Sequence, residues 1–210
     1  MNGVRISSPE PAVAVLQEDR ARGDFYALIS RLFYAGPDAD LLAAIAGADE
    51  LAGESENASL AQAWKSLISA AAAADAEAAK AEYDSVFVGT GKAEITPYAS
   101  NYLAESMKEN VLVRLRAELA AMGLAREQGV AEYEDHFAGL CEVMRHLIPL
   151  GSGDAAMQKE KIFFMQYIVP IYSRFCDAVM ASPNTNFYKP VARFTKAFLD
   201  VEAESFEIAQ

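Results

Sequence analysis

Apolar residues recur at helical spacing in segment after segment of this chain, and nowhere do they alternate over the length of a strand. Phe25, Leu28, Ile29, Leu32 and Phe33 fall at i, i+3, i+4, i+7 and i+8, with Asp24, Ser30 and Arg31 off that face, which is the stripe of an amphipathic helix. Leu60, Trp64, Leu67 and Ile68 resume the pattern, and an alanine-rich stretch to Lys80 reads as a close-packed helix because alanine is the best helix former. Ala78 to Phe87 also reads as helix, with Tyr83, Val86 and Phe87 on one face. Leu112, Leu115, Leu119 and Met122 form a further stripe that Gly123 ends, and His136 to Leu150 continues in the same period. Phe164, Tyr167, Ile168, Ile171, Tyr172, Phe175 and Val179 mark a long helix, and Phe187, Val191, Phe194, Phe198 and Val201 the last one. Helices that each carry one apolar face bury it against other helices. The expected fold is therefore all-α, a helical bundle.

Glycine and proline divide the pattern. Gly36-Pro37-Asp38 breaks the first helix, and Pro37 is expected to open a short second one through Leu41, Leu42 and Ile45. Residues 47–59 form a polar connection, Pro170 should kink the long helix, and Ser182-Pro183-Asn184 should stop it. The polar piece from Leu124 to Glu134 reads as a connector, so the expected organisation is an N-terminal lobe (1–122), a connector (123–134) and a C-terminal lobe (135–210) within one structural domain. Such a connector allows either a monomer or a homodimer that exchanges lobes.

A chain of 210 residues can bury a sizeable core without disulfides or metal, and 52% apolar with 23% charged residues is a globular composition. The formal charge of −12 argues against nucleic acid and anionic membranes, both of which call for a basic footprint. A basic partner suits it better. Cys141 and Cys176 lie in apolar helical patterns and are expected as buried free thiols. The first 17 residues lack the continuous apolar region of a secretory signal, and no apolar run reaches membrane-spanning length, so the expected compartment is the cytoplasm.

Gly89-Thr90-Gly91-Lys92 invites a phosphate-loop reading, which fails on three counts. The first glycine of that motif would fall on Val86, the residue after Lys92 is Ala93 where Ser or Thr is needed, and the preceding segment is helical. Gly89 is instead expected to end the helix and Gly91 to supply a turn. His136 and His146 are the only histidines, Cys141 and His146 are five apart on different helical faces, and no metal-ligand pair or nucleophile elbow occurs. No catalytic role, metal or cofactor is expected.

Polar and aromatic residues concentrate in two places. In Pro97-Tyr98-Ala99-Ser100-Asn101-Tyr102, Tyr98 and Tyr102 fall four apart, a spacing that shares one face of a helical turn. They serve either as contact surface or as half-buried packing. In Glu132-Tyr133-Glu134-Asp135-His136, Asp135 is the expected N-cap of the following helix, and the carboxylates suit the positive helix end.

Taken together, Glu82-Tyr83-x-x-Val86-Phe87-x-Gly89, Pro97-Tyr98-x-Ser100-x-Tyr102, Asp135-His136 with Glu142 and Met144, and Asn186-Phe187-Tyr188 leading to Phe198-Leu199 resemble the TorD/DmsD/NarJ family of redox-enzyme maturation chaperones. The resemblance runs in order from Phe25 to Glu204. It implies an all-helical cytoplasmic chaperone, not an enzyme, that binds the N-terminal leader of an apo-molybdoenzyme catalytic subunit until its molybdenum cofactor is inserted. The family's leader-contacting segment maps onto Asp135 and His136. The proline common before that pair is Tyr133 here, and the acid often found four residues after the histidine is Leu140. The runs Phe87 to Glu94 and Leu140 to Leu147 look most like members that accompany formate dehydrogenases. The composition is compatible with the same reading: the apolar-aromatic loop and the carboxylates Glu134, Asp135 and Glu142 could take a peptide with arginines beside an apolar run. The expected peptide-binding residues are Tyr98, Tyr102, Glu134, Asp135, His136 and Glu142. A helical adaptor without chaperone action and a nucleotide binder using the 89–92 loop are the competing readings.

Overall fold

In the computed structural model of the chain, described for residues 17–51, 58–89, 91–103, 105–125, 132–150 and 154–208, the described elements are helical apart from one isolated bridge. Nine α-helices follow one another among these residues: α1 (Gln17–Ala35), α2 (Ala39–Ala46), α3 (Ala58–Ala73), α4 (Ala76–Tyr83), α5 (Glu105–Ala121), α6 (Phe137–Leu147), α7 (Asp154–Phe163), α8 (Tyr172–Ala181) and α9 (Tyr188–Ile208). The all-α expectation holds. The expected N-terminal segment to residue 16, residues 52–57 of the polar connection, residues 126–131 of the connector and Thr90 lie outside the described residues.

Several boundaries differ from the sequence reading, each for a local reason. Asp38, not Pro37, opens α2: its backbone is extended and its Oδ1 accepts from the Leu41 N–H at 2.7 Å, so Pro37 stays outside the helix. The alanine-rich stretch is two helices, because Asp75 caps a new start by accepting from the Ala78 N–H at 2.8 Å. The long helix expected around Pro170 is broken outright. After α7 a π-helical turn covers Phe164–Ile168, and α8 begins only at Tyr172, since proline has no N–H to continue the ladder. A second π-turn, Asp84–Val88, carries α4 to Gly89, whose φ of +66° ends it as expected.

The core assembles around two groups of rings. Phe33 on α1 lies within 5.0–5.8 Å, centroid to centroid, of Phe87, Phe137, Phe175 and Tyr188, which come from four separate segments. Phe25, Trp64, Phe194 and Phe198 form the other group, joining α1, α3 and α9. Helix α1 packs along α6, α3 along α9, and α9 along α8, so the core is shared by residues on both sides of the connector. Each buried aromatic contributes about 1.5–3 kcal/mol through burial, and edge-to-face pairs add roughly 0.5–1.5 kcal/mol. Cys141 and Cys176 are buried free thiols.

Two polar devices fix this packing. Both oxygens of Glu82 accept backbone N–H groups at the start of α9, from Asn186 (2.8 Å), Phe187 (3.0 Å) and Tyr188 (2.9 Å), so a side chain at the end of α4 caps a helix more than a hundred residues later. At the other end, Arg22 forks onto Glu202 (2.7 and 2.9 Å) and also reaches Glu160 (2.9 Å) and Asp19 (3.0 Å), while Tyr26 donates to Glu202 at 2.9 Å. This ties α1, α7 and α9 through charges that are largely out of water. No helix among the described residues is long and apolar enough to cross a membrane.

Candidate peptide-binding site

The loop after Gly89 is built backwards onto the helix that leads into it. The Ile95 N–H donates to the Val86 carbonyl at 3.0 Å, and a Cβ at Gly89 would stand 2.3 Å from the Lys92 carbonyl oxygen, so only glycine fits this turn. Helix and π-turn, not strand, precede the loop, as the rejection of a phosphate-loop reading requires. Glu94 then anchors it across the molecule, accepting from the Ser182 hydroxyl at 2.6 Å and the Asn184 amide at 2.7 Å.

Past Ile95 the chain meets the segment before α6, and the two places singled out in the sequence become one. Tyr98 and His136 form an isolated antiparallel bridge. The Ala99 N–H donates to the Asp135 carbonyl at 2.9 Å and the Phe137 N–H to the Pro97 carbonyl at 2.8 Å. A side chain completes this clasp: Asp135 Oδ2 accepts from the Ser100 N–H at 2.9 Å, at the start of the 3-10 turn Ala99–Tyr102. Asp135 is only 1% exposed.

Asp135 therefore does not cap α6. His136 does: its backbone is extended, and its Nδ1 accepts from the Ala138 N–H at 3.2 Å. The acceptor role requires Nδ1 to be unprotonated. Burial pushes the His136 imidazole below its ordinary value, against the opposing pull of the Glu132 and Asp135 charges. The swap has a geometric cause, since Asp135 faces the 97–102 loop and finds an orphan N–H there.

The two tyrosines also part company. Tyr98 precedes the 3-10 turn in an extended conformation, so the α-helical spacing that would align it with Tyr102 does not apply. Its ring stands edge-on to His136 at 5.1 Å and near Tyr133 at 6.2 Å. Tyr102 turns inward to Phe175 at 6.0 Å, its hydroxyl donates to the Thr96 carbonyl at 2.8 Å, and burial first of all pushes its pKa up to about 12. Arg174 of α8 donates to the Tyr102 carbonyl at 2.8 Å, docking the turn on that helix.

Of the six expected residues, Tyr98, Asp135 and His136 meet directly, and Tyr102 closes the same loop. Glu134 stands beside them, its carboxylate held by both Nε and a terminal nitrogen of Arg116 on α5 at 2.9 and 3.0 Å. Glu142 lies farther along α6 and pairs with Arg145 at 2.8 Å on the exposed face. Sequence reasoning missed Tyr34, whose ring stands 6.2 Å from His136, and Glu132, 3.5 Å from the Tyr34 hydroxyl. Tyr34 sits in a segment read only as a helix, and Glu132 belongs to the singled-out run 132–136 without being among the six. An aromatic ring on the face of α1 opposite its apolar stripe, where Tyr34 falls, was the available signal.

Among the described residues no group of three or more His, Cys, Asp or Glu side chains is placed to hold a metal ion. Residues 54–177, which include the whole clasp, match the family model described as the nitrate reductase delta subunit. No curated protein matches the chain.

Proposed function

Because the chain belongs to the nitrate reductase delta subunit family, the NarJ/TorD type of chaperone for molybdoenzyme maturation, we propose that it holds the apo form of a molybdoenzyme catalytic subunit in the cytoplasm by that subunit's N-terminal leader until the cofactor is in place. The family accounts for the general role, and the leader and the compartment are our reading. The single observation that carries it is the clasp between residues 97–102 and 135–137, which turns two separate sequence motifs into one rigid, partly aromatic surface bordered by carboxylates. Tyr98 presents itself at that surface and Glu134 at its edge, with Glu142 farther along α6. Asp135, His136 and Tyr102 act from beneath, as positioning residues that hold its shape.

A leader that pairs arginines with an apolar run matches an acidic protein of this kind, through charge-assisted hydrogen bonds and a helix or strand laid against helical grooves. A formate dehydrogenase is the first client to test, on the resemblance carried by residues 87–94 and 140–147. The test is capture of partners on the tagged protein from cells that make molybdoenzymes, with partners identified by mass. Recovery of a catalytic subunit, lost when its leader is deleted, supports the proposal. A capture that retains the subunit without its leader moves the contact to the enzyme body, and recovery of no such subunit favours the helical adaptor.

A further inference from the structure

The rings around His136 form a chain of contacts whose two ends share one acidic neighbour. Tyr34, one residue from the end of α1, is edge-on to His136 at 6.2 Å; His136 is edge-on to Tyr98 at 5.1 Å; and Tyr98 meets Tyr133 at 6.2 Å. Glu132 adjoins Tyr133 in the chain, and its Oε2 stands 3.5 Å from the Tyr34 hydroxyl, which completes the circuit. The floor is His136, 4% exposed, whereas Tyr34 is 47% and Tyr133 56% exposed. After burial itself, which lowers His136 and raises Tyr98, the Glu132 charge is the next influence on both groups and raises each of them. The carboxylate thus lies beside the ring set, at the Tyr34 hydroxyl.

Three stretches far apart in sequence deliver these groups to one place: the end of α1, the loop before the 3-10 turn, and the segment before α6. Aromatic faces carry negative charge density and attract a cation that lies over them, and a carboxylate at the rim adds to that attraction. A guanidinium suits this arrangement better than an ammonium ion. It is flat, it stacks on rings, it is more weakly hydrated, and its fork matches a carboxylate. A carboxylate has about four acceptor positions, so the contacts Glu132 already makes are compatible with such a fork.

We propose that Tyr34, Tyr98, Tyr133 and Glu132 form a cage for one guanidinium group of a bound peptide, an arginine-reading subsite next to the clasp. The assignment rests on the peptide-binding reading above and adds to it three residues outside the six expected from sequence. It also gives the arginine a seat at an exposed rim, whereas Asp135 is 1% exposed and the Glu134 carboxylate is forked by Arg116.

The experiment titrates the full chain with a blocked peptide carrying a single arginine among leucines and alanines, beside counterparts with lysine or the uncharged isostere citrulline at that position. Tyrosine ring resonances are followed by NMR. The arginine peptide is expected to shift Tyr34 and Tyr133 saturably, the lysine peptide to bind more weakly, and the citrulline peptide to lose at least about tenfold in affinity, the scale of one charge-assisted contact. Glu132→Gln should weaken arginine-peptide binding about tenfold, and Tyr34→Leu or Tyr133→Leu about threefold, with the unfolding midpoint unchanged for Glu132→Gln. Equal binding of the arginine and citrulline peptides, or wild-type affinity in Glu132→Gln, overturns the cage. Capture of a catalytic subunit is measured in parallel. Subunit captured equally by wild type and Glu132→Gln defeats the cage and leaves the chaperone reading standing. Arginine-peptide binding at the cage without any captured subunit defeats the chaperone reading and leaves a guanidinium site.

Discussion

Replacing Asp135 by alanine separates a side chain that holds the clasp from one that merely touches a peptide. In the structure its Oδ2 accepts from the Ser100 N–H at 2.9 Å, and the residue is 1% exposed. A hydrogen bond to a charged group is worth roughly 1.5–3 kcal/mol, and a donor left unpaired in a part-buried site adds about 1 kcal/mol or more. The expected loss for Asp135→Ala is therefore about 2–4 kcal/mol, which for a chain of this size lowers the midpoint of thermal unfolding by roughly 5–15 °C. Asp135→Asn keeps an oxygen where Oδ2 accepts and gives up the charge, so its loss should be about half as large. Urea unfolding followed by far-ultraviolet circular dichroism measures both. Stability of Asp135→Ala within about 0.5 kcal/mol of wild type, the range of an ordinary surface substitution, would refute the reasoning. So would an asparagine variant as damaged as the alanine one.

Other consequences follow from the same contacts. Glu82→Ala takes the acceptor from three N–H groups at the start of α9 and should cost about 2–3 kcal/mol in urea unfolding, with hydrogen exchange at Phe187 and Tyr188 rising most; unchanged exchange there would contradict the cap. Arg22→Ala leaves Glu160 and Glu202 buried without their cation and should cost about 3–5 kcal/mol, whereas a loss under 1 kcal/mol would show that water reaches the pair. For His136, the unfolded chain takes up a proton near the ordinary value of 6.5 and the folded chain only below it, so this group's contribution falls as pH drops below that value. His136→Asn keeps a capping side chain and should remove that part of the slope; identical pH profiles for the two proteins would exclude it.

The helices were legible because burial of one face imposes a period on the sequence, and stripes such as Phe25 to Phe33 carry it plainly. Local capping was harder to read. Asp135 and His136 are adjacent, aspartate is the commoner cap, and only the 97–102 loop, thirty-odd residues upstream, decides that Asp135 faces elsewhere. Pro97-Tyr98 and Asp135-His136 were each visible as polar-aromatic concentrations, but their union is a tertiary fact made by backbone bonds with no side-chain signature. The Arg22 cluster was hidden for a different reason. Glu160 and Glu202 have the helical spacing of solvated charges, and their burial depends on an arginine brought to them by the packing of α1. The motif residues Tyr83 and Tyr188 turn out to serve the fold, donating to the carbonyls of Tyr34 and Leu32 at the end of α1.

The account stands most directly on whether the clasp region binds the N-terminal leader of an apo-molybdoenzyme catalytic subunit. Isothermal titration of the full chain with the captured subunit, made with and without its leader and free of cofactor, measures this. We predict saturable binding that falls at least tenfold when the leader is removed and again when Tyr98 is replaced by alanine in a variant that still unfolds cooperatively. Equal affinity with and without the leader would contradict the claim.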